Sequence, residues 1–83
     1  MEEIKEQIYK ILADELNIKE KVIFQDDILL IEDLGFDSMQ LMSLIAELED
    51  VFQIEFKDSD MLFDSFNRIG DLCELVNKLI SKK

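Results

Sequence analysis

"IEDLGFDSMQLMSLIAELEDVF", Ile31 to Phe52, joins an acidic, glycine-containing turn to a strongly apolar run at helical spacing, and Ser38 stands at the join. Asp37 and Ser38 both suit a helix N-cap, and no β-branched residue interrupts the turns that follow, so the run predicts a helix from Ser38 to about Gln53. Leu41, Leu44, Ile45, Leu48 and Phe52 satisfy a core-facing stripe. Met39, Met42 and Ala46 are surplus to it and form a second strip. Either that strip is exposed, or Met39 and Met42 belong to the core as well.

Outward from this helix the pattern stays helical. Ile4, Ile8, Ile11, Leu12 and Leu16 recur on one face of a helix from Glu2 to about Asn17. Residues 18–37 lack a comparable polar face, although Val22, Phe24, Ile28, Leu30, Leu34 and Phe36 supply packing material. A loop of that length in a compact domain is expected to be functional or packed by its own side chains. "KDSDMLFDSFN" reads as a loop with one helical turn near Asp60 to Asp64. A last helix, Arg68 to about Ser81, is marked by Asn67 as candidate cap and by Ile69, Leu72, Val76, Leu79 and Ile80. No proline, internal repeat, linker or low-complexity segment interrupts the chain.

Composition narrows the function. An 83-residue chain is one small domain that buries about 60–65% of its unfolded surface, too little for a deep enclosed active site. Apolar residues at 48% exceed what a disordered acidic tail would hold, yet 20 Asp and Glu against 9 Lys and Arg give a net charge of −11. Nucleic acid is disfavoured by that balance, and a partner with a basic patch is favoured. No apolar run approaches the roughly 18 residues of a membrane span, and Met1 leads into Glu2 and Glu3 where a secretory signal would be basic. With the single Cys73 unable to form an internal disulfide, the cytoplasm is expected.

Reactive chemistry fails on spacing. "GFDSM" is not the G-x-S-x-G of a hydrolase, and the chain has no histidine to activate Ser38. Asp58 and Asp60 begin like a calcium loop, but Leu62, Phe63 and Ile69 occupy positions that need a ligand, a glycine and the closing glutamate. Cys73 alone makes no zinc site and reads as a small core residue. What remains is Ser38 as an acceptor. A helix start offers unpaired N–H groups and the positive end of the dipole, which favour a phosphate ester, and Gly35 keeps the approaching backbone narrow. The plainer alternative is a cap worth about 1 kcal/mol.

"DLGFDSMQLMSLIAELEDVFQIEF" closely resembles the acyl carrier protein signature, and the likeness extends through "RIGDLCELV" to nearly the whole chain. The resemblance implies an all-α fold, a small four-helix bundle with a long first loop and a short third helix. It also implies a 4′-phosphopantetheine arm on Ser38, attached by a separate phosphopantetheinyl transferase from coenzyme A, with Asp37 helping to hold magnesium during transfer. The arm's thiol would carry an acyl or aminoacyl group, so the chain would be no enzyme but a monomeric carrier. Condensing, ligating and acyl-transferring enzymes with basic patches would act on it. By the same resemblance the helix beginning at Ser38 is the docking helix: Met39, Met42 and Ala46 enter an apolar depression, while Glu47, Glu49 and Asp50 meet the partner's cations.

The chain departs from the carriers of primary fatty-acid synthesis at Gln40 and Ser43, where acidic residues are usual, and at Phe56–Lys57, where a proline is usual. Phe63 and Phe66 add aromatic bulk near the short third helix. Fatty-acid, polyketide and peptidyl cargoes all stay open. An unmodified acidic helical module that binds a basic protein is the alternative of another class. For either, 20 carboxylates on so small a surface repel one another. Sodium chloride or millimolar magnesium should therefore raise the melting temperature in a thermal scan. An unchanged melting temperature would count against strong self-repulsion.

Overall fold

In α1 (Glu2–Glu15) the predicted face is the one that packs: Ile8, Ile11 and Leu12 are buried, with Ile4 and Leu16 partly so. The helix unwinds just before the expected end. Leu16 N–H forks to the carbonyls of Leu12 and Ala13, both at 3.1 Å, and Asn17 takes a left-handed conformation with φ 60°. Asparagine tolerates that conformation better than most residues, which makes it a helix stop. The computed structural model from which these features are drawn describes residues 2–57 and 66–82. The helical turn expected near Asp60 to Asp64, and Phe63 with it, lie outside the described residues.

The long connection from 18 to 37 is packed by its own side chains, as its apolar content requires. Phe24, Leu30 and Phe36 are buried, and Val22, Ile28 and Leu34 lie against the same core. The Phe24 ring meets Tyr9 of α1 at a centroid distance of 5.8 Å and a tilt of 59°, within the favoured range for aromatic pairs. Burying a loop obliges its backbone groups to find partners, and here many are local. Asp33 and Leu34 N–H donate to the Leu29 carbonyl, Gly35 N–H to Ile31 and Phe36 N–H to Leu30, at 2.9 to 3.1 Å. Asp33 Oδ2 accepts from Leu29 N–H at 2.8 Å. Gly35 closes this turn at φ 74°, where a side chain is strained.

Next comes α2 (Ser38–Phe52), which buries Leu41, Leu44, Ile45, Leu48 and Phe52, the predicted stripe. Helix α3 (Ile69–Ser81) buries Ile69, Gly70, Leu72, Cys73, Val76 and Leu79. Both pack on α1. Among the described residues the fold is all-helical, with three helices and no strand beyond an isolated antiparallel bridge between Leu29 and Arg68.

The start of α3 corrects the expected cap. Arg68, not Asn67, holds the N-cap position, and it makes no side-chain capping bond. Carbonyls of the long loop serve instead: Ile69 N–H donates to Ile28 and Gly70 N–H to Asp26, each at 2.9 Å. That approach is close. A Cβ on Gly70 would lie 3.0 Å from the Asp26 Cβ and 3.2 Å from its carbonyl oxygen, so the absence of a side chain lets the loop reach the helix.

Cys73 is fully buried, as its reading as a core residue expected, and burial pushes its thiol pKa up to about 11. It stays a neutral thiol at physiological pH and acts as a small apolar residue. Ion pairs add little: Lys5–Asp26 at 3.3 Å and Arg68–Asp71 at 3.4 Å are substantially exposed.

Gly35 yields a direct test. A Cβ there would meet nothing within 4 Å, so the requirement is one of backbone conformation and not of space. Gly35→Ala should destabilise the protein by about 1–2 kcal/mol in denaturant titration, and Gly35→Asn by less. Equal stability for the alanine variant would show that the turn does not need a left-handed residue.

Candidate functional site

Ser38 is an exposed residue at the first position of α2. Asp37 before it is the N-cap, with extended backbone, and its Oδ1 accepts from Gln40 N–H at 2.8 Å. Gln40 Oε1 accepts in return from Asp37 N–H at 3.4 Å, completing a capping box. Of the two residues read as capable of capping, Asp37 therefore does so and Ser38 does not. The D-x-x-Q spacing carries this signal in sequence, and it gives Gln40 a physical role.

The cap leaves the Ser38 hydroxyl outside the helix's own bonding, and among the described residues no side chain engages it. The first turn of α2 contains no acidic residue, so beyond Asp37 itself nothing there offsets the positive end of the helix. A singly charged phosphodiester on this exposed serine would lie at the positive end of the helix. The chain supplies no base for the serine, having no histidine.

Along α2 the proposed docking residues separate into two groups. Met39 is 81% exposed and Met42 56%, and Ala46, Glu47 and Asp50 are exposed as well. Met39, Met42, Ala46 and Asp50 follow one another by three or four residues and so lie along one helix face. The core reading of the two methionines is thereby set aside. Glu49 differs. It is only partly exposed, and its Oε2 accepts from Phe56 N–H at 2.9 Å, so its carboxylate holds the chain leaving the helix. In place of the usual proline, that exit is made by Gln53 at φ 55°. Ser43, the second departure, donates to Glu15 Oε1 at 2.8 Å and ties α2 to α1.

Residues 22–56 carry nine carboxylates and no Lys or Arg, so apart from Asp26, which pairs with Lys5, the stretch around Ser38 presents acidic groups to an approaching protein.

Asn67 is the residue whose role sequence reasoning missed. Its Oδ1 accepts from Ile31 N–H at 3.0 Å, its Nδ2 donates to the Glu32 carboxylate at 3.1 and 3.3 Å, and its carbonyl accepts from Leu30 N–H at 2.7 Å. All three contacts fall on the turn that leads to Ser38. Nothing local in the sequence signals a partner more than thirty residues away.

Comparison with known proteins agrees with this geometry. Residues 6–76 match the family model described as phosphopantetheine attachment site. The chain is 36% identical over 83 residues to an acyl carrier protein of Buchnera aphidicola subsp. Acyrthosiphon pisum (strain Tuc7), covering all of both chains. It is 30% identical to the acyl carrier protein of Chloroherpeton thalassium, covering all of this chain and 96% of the relative. Against that of Clostridium perfringens (strain SM101 / Type A) it is 31% identical, with 93% and 97% covered. The chain belongs to the acyl carrier protein family. It is a carrier and not an enzyme, and its prosthetic group is covalently attached 4′-phosphopantetheine. The unmodified interaction module is not favoured.

If the α2 strip is a free surface, truncating it should cost little. Met42→Ala is expected to change stability by no more than about 0.5 kcal/mol, whereas Leu41→Ala, one residue away and buried, should cost about 2–5 kcal/mol in urea unfolding. Comparable losses would place Met42 in the core.

Proposed function

We propose that Ser38 is the attachment point of the 4′-phosphopantetheine arm, and that α2 is the surface by which partner enzymes recognise the carrier. The observation that carries this reading is the exposed hydroxyl at the start of a helix capped by its neighbour. When bound, the arm supplies a terminal thiol that holds an acyl or aminoacyl group as a thioester.

The chain's own part is presentation. In the transfer the Ser38 oxygen forms a bond to the phosphorus of coenzyme A nearest the pantetheine, the bond to the departing nucleotide phosphate breaks, and the serine proton leaves to a base of the transferase. Asp37, adjacent to the acceptor, would help hold the magnesium ion that the transferase uses. The Asp37–Gln40 box holds the helix start while this happens. Tethering then replaces free diffusion of the cargo by a high local concentration at each successive enzyme. Met39, Met42 and Ala46 anchor the pose. Glu47 and Asp50 attract basic rims and speed encounter, and Glu49 contributes less because its carboxylate is engaged within the chain. Methionine suits a surface met by several partners, since its flexible thioether adapts to each.

The architecture we infer over residues 1–83 is a single monomeric domain of the four-helix-bundle type. The partners are a phosphopantetheinyl transferase and the condensing, ligating or acyl-transferring enzymes of fatty-acid, polyketide or related biosynthesis, in the cytoplasm. No helix among the described residues is long and apolar enough to cross a membrane.

Intact mass spectrometry after incubation with coenzyme A, magnesium and a broad-specificity transferase tests the assignment. The wild type should gain one phosphopantetheinyl mass and Ser38→Ala none. A modified alanine variant would move the site elsewhere.

A further inference from the structure

The turn that delivers Ser38 is held from a distance, and the holding is polar and specific. Leu30 and Phe36 are its buried pegs, at 0% and 2% exposure, and Phe36 N–H donates to the Leu30 carbonyl at 3.0 Å. Two residues after Phe36 comes Ser38. The other side of the same turn is gripped by Asn67, through its carbonyl on Leu30 N–H and through its side chain on Ile31 N–H and the Glu32 carboxylate. An amide is the one neutral side chain that accepts from a backbone N–H with its oxygen and donates to a carboxylate with its nitrogen at once. Capping of α3 does not account for the residue, because that helix takes its N-terminal bonds from Ile28 and Asp26.

We propose that Asn67 is a positioning residue for Ser38: by clamping Ile31 and Glu32 it fixes the turn that sets where the acceptor hydroxyl stands when a transferase docks. The inference rests on Ser38 being the attachment point. Docking is a property of the α2 face, which Asn67 does not touch, so loss of the clamp should act on the reaction of the docked carrier and not on its capture. A looser turn lowers the fraction of docked complexes with the hydroxyl in line, which appears in kcat and leaves KM for the carrier nearly unchanged.

Three variants test this in two measurements. Asn67→Ala removes both side-chain contacts. N67D keeps the acceptor for Ile31 N–H but sets a second carboxylate against Glu32. Adding E32Q to N67D places an amide opposite that carboxylate, restoring the pair with its polarity reversed. Transferase kcat should fall by about three- to tenfold in Asn67→Ala and in N67D, the effect of losing one or two such bonds. It should return to within about twofold of wild type in the double variant, with KM steady throughout. Amide exchange on the unmodified proteins should show faster exchange at Ile31 in Asn67→Ala and at Gly35 in both impaired variants, with Leu12 and Leu48 in the helices unchanged. Wild-type kcat in Asn67→Ala, a rise in KM with constant kcat, or exchange that accelerates equally in all helices would each overturn the proposal. Failure of the wild type to be modified would instead overturn the Ser38 reading, and the exchange data alone would then decide whether the clamp exists.

Discussion

The architecture depends on an exchange of main-chain hydrogen bonds between the long loop and the beginning of α3. Leu30 N–H donates to the Asn67 carbonyl, Ile69 N–H to Ile28 and Gly70 N–H to Asp26. Each side solves the other's problem. A helix start has N–H groups with no partner in the helix, and a loop that buries Phe24, Leu30 and Phe36 has backbone groups cut off from water. Leaving one such group unpaired costs about 1–3 kcal/mol, whereas an exposed ion pair such as Lys5–Asp26 contributes little. These bonds therefore outweigh the surface charges in fixing where the loop runs. They also require a residue without a side chain at Gly70, since Asp26 arrives within contact distance.

From that constraint the site follows. With Ile28 to Leu30 fixed, the turn from Leu29 to Phe36 closes on its own carbonyls, Gly35 reverses the chain, and Asp37 emerges in extended conformation ready to cap α2. Ser38 is then exposed without being loose. The protein spends no buried polar side chain on this among its described residues, so the specificity of the arrangement lies in backbone geometry and in a few short side chains at the surface.

Much of this was legible in the sequence, for identifiable reasons. The stripe Leu41, Leu44, Ile45, Leu48, Phe52 carries its period openly, whereas the period alone left Met39 and Met42 either exposed or in the core, and the structure exposes both. Cys73 was readable as buried because a lone cysteine on a helix is more often a small core residue than a reactive thiol. Asn67 was not readable, because asparagine before a helix is most simply a cap, and its true partners, Ile31 and Glu32, are distant in sequence. Glu49 looked like one more surface charge, since a carboxylate that bonds a backbone N–H seven residues later leaves no compositional trace. Local periodicity reports which face is buried; it is silent about which polar groups the fold will bring together. Family resemblance supplied the chemistry of Ser38, which spacing alone read more readily as a simple cap.

The central claim is that this chain contributes one acceptor oxygen and a surface to display it. Peptide mapping by tandem mass spectrometry of the fully converted protein tests it most directly. The account predicts a single phosphopantetheinyl ester, localised to Ser38, with Ser43, Ser59, Ser65 and Ser81 unmodified. An arm on any other residue, or a chain that stays unmodified when a known carrier in the same reaction is converted, would contradict it.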